Sequence, residues 1–145
     1  MILNYTTKVP SAKTVSQIQE VLGAKGACRV SVDYTNGKAS AVTFGLKVGP
    51  GEVGFRLPCN ISGVQQAIKK SRPGGSAWLD VAQIERIAWR IVKDWVEAQM
   101  ALVESNQAEM GEVFLPYAIH DDGRTFFQHF KSKQLALTNG GTDAD

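Results

Sequence analysis

The sequence predicts an α+β domain: a three-stranded antiparallel meander with helices packed on one face, one of them long. Three observations predict it. Cys28 to Tyr34 alternates strictly between apolar and polar residues. Asn36-Gly37 is the signature of a type I′ hairpin, and apolar residues recur at helical spacing after Val81.

Taken in order, residues 1–10 read as an extended arm ending at Pro10. Ser11 and Thr14 are candidate caps for a helix holding Val15, Ile18, Val21 and Leu22 on one face, and Gly23 and Gly26 end it. After the Asn36-Gly37 turn, a second alternating run carries Val42, Phe44, Leu46 and Val48. Gly49-Pro50-Gly51 turns the chain again, and Val53, Phe55 and Leu57 form a third strand that stops at Pro58. With these apolar residues inward, the other sheet face presents Arg29, Ser31 and Asp33, then Ala41, Thr43, Gly45 and Lys47, then Glu52, Gly54 and Arg56. All are small or charged, and none is aromatic.

Asn60 or Ser62 caps a short helix through Val64, Ala67 and Ile68, which closes with Lys69-Lys70-Ser71-Arg72 before the breaker Pro73-Gly74-Gly75. Asp80 is the candidate cap of the long helix, which the pattern carries to the region of Glu109 before Pro116 interrupts it. At about 100° per residue, Ile84, Ala88, Ile91, Trp95, Ala98 and Leu102 form one stripe, and Trp89, Val92, Val96, Met100 and Val103 a second beside it. A helix apolar on two flanks is either the pillar of its own domain or half of an oligomer interface. The second stripe is therefore the candidate surface for a homo-oligomer, with core packing as the competing explanation. Arg90 with Asp94 and Lys93 with Glu97 stand at the spacing of solvated ion pairs.

Asp121-Asp122-Gly123 reads as a turn, and Thr125 to Leu137 as a last short helix presenting Phe126, Phe127 and Phe130. The expected organisation is an arm over 1–10, a single α+β domain over 11–137, and a polar, glycine-rich, flexible tail over 138–145. The chain length of 145 residues suits one domain. No apolar run approaches the ~20 residues needed to cross a bilayer, and the N-terminal stretch is too short for a secretory segment, so a cytoplasmic protein is expected. Cys28 and Cys59 lack CxxC spacing and fall on strand-like segments, where buried free thiols are expected.

Motifs of catalysis are missing from the sequence: it has no GxSxG, P-loop or HExxH, and no cysteine paired with a plausible histidine. Neither enzymatic activity nor a cofactor is expected. His120, Asp121, Asp122 and His129 are metal-capable residue types, but the turn signature is read first and no metal is expected. The 16 basic and 14 acidic residues leave a net charge of +2, so any attraction to a polyanion depends on charge distribution. Arg29, Lys47 and Arg56 project from one sheet face while Lys69, Lys70 and Arg72 crowd a helix end, and together they are the candidate nucleic-acid-binding residues. The competing explanation is that the helix-end cations complement the helix dipole while Asp33 and Glu52 neutralise the sheet. Without aromatics on that face, binding would rest on phosphate contacts and be sensitive to salt.

At Phe55-Arg56-Leu57-Pro58, Ala88-Trp89-Arg90-Ile91-Val92-Lys93-Asp94-Trp95-Val96-Glu97-Ala98-Gln99, Val113-Phe114-Leu115-Pro116-Tyr117 and Asp122-Gly123-Arg124-Thr125, the chain resembles a group of small bacteriophage and prophage proteins. The resemblance spans most of residues 3–130. It implies a mobile-element setting, alongside DNA replication and recombination or the disarming of host defences, and it carries over no catalytic residues. The order of helix, meander and helix is also similar in outline to the core of single-strand annealing proteins, which form rings on DNA. The expectation is a non-enzymatic, phage-derived protein that binds single-stranded DNA in replication or recombination and self-associates through the long helix. The alternative is a protein-binding inhibitor or adaptor directed at a host or phage protein.

Overall fold

Strands β1 (Arg29–Thr35), β2 (Lys38–Val48) and β3 (Gly51–Pro58) form one antiparallel sheet in the order β1-β2-β3 in the computed structural model, which describes residues 2–71 and 79–133. The β1–β2 turn adopts the conformation its sequence demands: Asn36 and Gly37 both have positive φ, 53° and 79°. The registers Val32↔Val42, Val42↔Leu57 and Phe44↔Phe55 align the apolar sets of all three strands on one face. A register shift between Asp33 and Tyr34 interrupts the β1–β2 ladder, and Tyr34 is exposed.

Helices α1 (Ser11–Ala24) and α3 (Val81–Glu104) cover that apolar face. The main core joins Val15, Ile18 and Leu22 of α1 to Val42, Phe44, Phe55 and Leu57 of the sheet and to Ala88, Trp89, Val96 and Met100 of α3. The result is the α+β arrangement the sequence predicts, with its opposite sheet face turned away from the helices.

Asp80 caps α3 as expected, its side chain accepting the Gln83 N–H at 2.8 Å. The helix stops short of the expected end near Glu109, because Asn106 enters the left-handed region at φ 59° and the Gln107 N–H turns back to the Leu102 carbonyl. A further short helix, α4 (Met110–Val113), follows with a reciprocal Glu109–Glu112 capping box, and a 3₁₀ turn spans Leu115–Tyr117. Neither was expected from the apolar periodicity.

The second stripe of α3 is taken up by the chain's own core. Trp89, Val96 and Met100 are at most 3% exposed, and Val92 and Val103 pack partly buried against the same cluster. These five residues therefore do not form an exposed interface. It is the first stripe that surfaces, at Ala98 and Leu102, while Ile87, outside both expected stripes, is fully buried. Arg90 also departs from its expected partner. Its guanidinium donates to Gln17 at 2.8 Å and to the Thr14 hydroxyl, pinning α1 to α3, whereas Lys93–Glu97 forms as expected at 2.7 Å.

Helix α2 (Ile61–Ser71), capped by Asn60 through the Gly63 N–H, packs Ile68 against Ile84 and Ile87 of α3. The N-terminal arm closes this second cluster. It is turned at residues 3–6 rather than extended, packs Ile2 and Tyr5 there, and its Tyr5 and Thr7 carbonyls accept from Gln83. Cys59 is buried as expected, but Cys28 is exposed just before β1. Among the described residues no helix is long and apolar enough to cross a membrane.

Candidate nucleic-acid interface

Alternation along the strands turns Arg29, Lys47 and Arg56 away from the core. Arg29 pairs in register with Gly45, which pairs with Gly54; Lys47 lies two residues along β2, and Arg56 two residues along β3. The three cations thus share one sheet face, as the sequence predicts, but Lys47 stands opposite Glu52 and Arg56 opposite Thr43, on either side of the Gly45–Gly54 pair, so they are spread along the strands. Lys69 and Lys70 are not with them: they occupy the last turn of α2, in the layer that packs on α3. Arg72, the breaker after it, Leu137 and the 138–145 tail lie outside the described residues.

The sheet cations differ in their engagement. The Arg29 guanidinium donates to Glu52 at 2.9 Å, and this hydrogen bond and charge push its pKa further up. Glu52 reaches Arg29 by lying over Gly45, where the missing side chain leaves room for its carboxylate. Asp33 accepts the Thr43 hydroxyl at 2.8 Å. Lys47 makes no ion pair among the described residues.

Arg56 has the most consequential surroundings. Beyond Tyr117 the chain returns along the free edge of β3: Ala118 bridges to Phe55, and the Ile119 N–H donates to the Gly54 carbonyl at 2.7 Å. The segment then folds into a small hairpin through the Ile119↔Thr125 bridge, whose turn includes Gly123 at φ 85°. Helix α5 (Phe126–Lys133) starts immediately after it, and the remainder of the expected helical span, 134–137, lies outside the described residues. A Thr125–Gln128 capping box fixes its first turn: the Thr125 N–H donates to Gln128 Oε1 at 2.8 Å, and the Gln128 N–H to Thr125 Oγ1. Arg56 donates to the Gly123 carbonyl at 2.6 Å.

This return path places aromatic rings beside the cationic sheet face, which the strand sequences alone do not supply. Arg56 and Pro58 of β3, Pro116 and Tyr117 of the 3₁₀ turn, and Phe127 and Lys131 of α5 line an open cleft of about 610 Å³. Tyr117 is held from behind by edge contacts that run outward from the core: Phe44 to Phe114 at 5.3 Å, Phe114 to Trp95 at 5.5 Å, and Trp95 to Tyr117 at 5.4 Å. Phe127 is 53% exposed at the rim. An apolar cleft with two aromatic rings and flanking Arg56 and Lys131 can receive a flat ring bearing a negative charge nearby. The signal for it in the sequence was the Thr125-x-x-Gln128 box enclosing the adjacent Phe126 and Phe127.

The same hairpin gathers His120, Asp122 and His129, one ligand atom of each lying within 4.8 Å of the others. Asp122 accepts the Arg124 N–H and a hydrogen bond from His129, which hold its carboxyl well below the usual range. No protein-family model, curated protein or solved structure matches this chain.

Proposed function

We propose that this protein is a non-enzymatic binder of single-stranded DNA, with a base received between Tyr117 and Phe127 and phosphates held by Arg56, Lys131, Arg29 and Lys47. The observation that carries the reading is the aromatic cleft flanked by Arg56 and Lys131, with Arg29 and Lys47 farther along the same sheet face. Stacking on aromatic rings is tolerant of base identity and needs unpaired bases, which favours a single strand over a duplex. The resemblance to small phage proteins supports a setting in phage replication or recombination. Self-association, if it accompanies this activity, needs a surface other than the buried stripe of Trp89, Val96 and Met100.

Anisotropy of labelled single- and double-stranded oligonucleotides tests it. With four phosphate contacts, single-strand affinity should fall about fiftyfold between about 50 and 200 mM salt, and the duplex should bind more weakly. Absence of binding at the lower salt overturns the proposal.

A second reading, an adaptor or inhibitor of a host or phage protein, draws on a different feature. Between the end of the β2–β3 hairpin and α4 lies an open cleft of about 710 Å³ lined by Leu46, Val53, Phe55, Met110 and Leu115. Such a surface suits apolar side chains of a protein partner. Nuclease-resistant capture of one partner, lost on Leu115→Asp, would favour it.

A further inference from the structure

We infer that His120, Asp122 and His129 form a binding site for a borderline transition-metal ion of the Zn²⁺ type. The three residues come from a short stretch of chain, but sequence spacing alone does not make them converge. The hairpin does. The His120 N–H donates to the Arg124 carbonyl at 2.7 Å and the Gly123 N–H to the His120 carbonyl at 2.9 Å, which closes the turn carrying His120 and Asp122. The Thr125–Gln128 capping box then launches α5 so that His129, one helical turn on, comes back over that turn. Its Nε2 lies 3.0 Å from the Asp122 carboxylate, and the two imidazole rings are 4.3 Å apart.

Two imidazoles and one carboxylate are the ligand types of Zn²⁺, Co²⁺ and Ni²⁺ sites, whereas Mg²⁺ and Ca²⁺ require oxygen sets. The ion would take the place of the hydrogen bond now made between His129 Nε2 and Asp122. Arg124 supplies the outer shell. Its backbone N–H and Nε donate to the two Asp122 oxygens at 3.0 Å each, orienting the carboxylate. His120 and Asp122 are exposed while His129 is half-buried, which leaves solvent to complete the coordination. The site would clip α5 to the hairpin and, through Ile119, to β3. It stands independently of the nucleic-acid reading.

Calorimetric titration of the full chain with ZnCl₂, repeated with CoCl₂ to follow visible absorption, tests the site. The expected result is one ion per chain, at least tenfold weaker binding in each of His120→Ala and His129→Ala, and no competition from Mg²⁺. Asp122→Asn keeps an acceptor for the Arg124 N–H and so preserves the turn, yet should weaken binding by a similar factor. No binding by the unaltered chain overturns the inference. So does affinity unchanged within twofold in both histidine variants, which would place the ion elsewhere.

Discussion

Arg56 and Gly123, sixty-seven positions apart, are joined by a hydrogen bond of 2.6 Å from the guanidinium to the carbonyl. This bond and the Ile119–Gly54 bond fasten the returning hairpin to β3, and so bring α5 and its phenylalanines to the sheet. Replacing Arg56 with Met should lower unfolding free energy by about 1 kcal/mol, since the bond is exposed and charge-assisted. The hairpin should loosen before the sheet does. Hydrogen exchange at the Ile119 and Phe126 amides should accelerate while that at Phe44 stays slow.

Glu52 is the sheet's own competitor for phosphate. Its carboxylate occupies Arg29 and lies opposite Lys47 in register. Glu52→Gln should therefore strengthen single-strand binding several-fold, the gain being largest at low salt, where repulsion between Glu52 and phosphate is least screened. Anisotropy titrations at several salt concentrations measure both the gain and its dependence on salt.

Trp89 is 1% exposed among the residues of α1, the sheet and α3. Trp89→Ala should cost about 3–5 kcal/mol, enough to unfold much of the population. Denaturant melts with far-UV circular dichroism check this. A folded variant with a changed mass in solution would instead assign Trp89 to an interface.

The two thiols should behave oppositely. Burial pushes the Cys59 thiol up to about 12 from 9.0, while Cys28 is exposed. Ellman's reagent should titrate one thiol in the native protein and two after unfolding. The raised folded pKa also sets a sign for stability. Below pH 9 the thiol is neutral in both states and its contribution is complete; above it the unfolded state ionises first. Unfolding free energy should thus fall as pH rises from about 9 towards 12, by up to about 1.4 kcal/mol per unit. Cys59→Ala should lack that part of the slope.

Local signals carried the sheet and the starts of α2 and α3, whereas α1 begins directly after Pro10 with neither Ser11 nor Thr14 as its cap. Alternation, the Asn36-Gly37 pair and the Asp80 cap act within a few residues, so their meaning survives without tertiary information. The faces of α3 were harder, because two adjacent apolar stripes satisfy the same periodicity and only packing against α1 and the sheet chooses between them. Arg90 illustrates the same limit: Asp94 stands at the right spacing, yet Gln17 of α1 is closer in space. The cationic face was legible from strand parity. Its aromatic partners were not, since Tyr117 and Phe127 reach it through a non-local edge pairing between Ala118 and Phe55, in a segment too short to show alternation.

The most direct test is the affinity of Phe127→Ala for a labelled single-stranded oligonucleotide, set beside the Lys69→Ala/Lys70→Ala double variant. Phe127 is exposed, so its loss leaves the fold intact. Loss of a stacking ring worth about 1–3 kcal/mol should weaken binding roughly 5- to 150-fold, while the α2 lysines should matter little. Unchanged affinity in Phe127→Ala, with binding lost in the lysine variant, would contradict the cleft and return the nucleic acid to the end of α2.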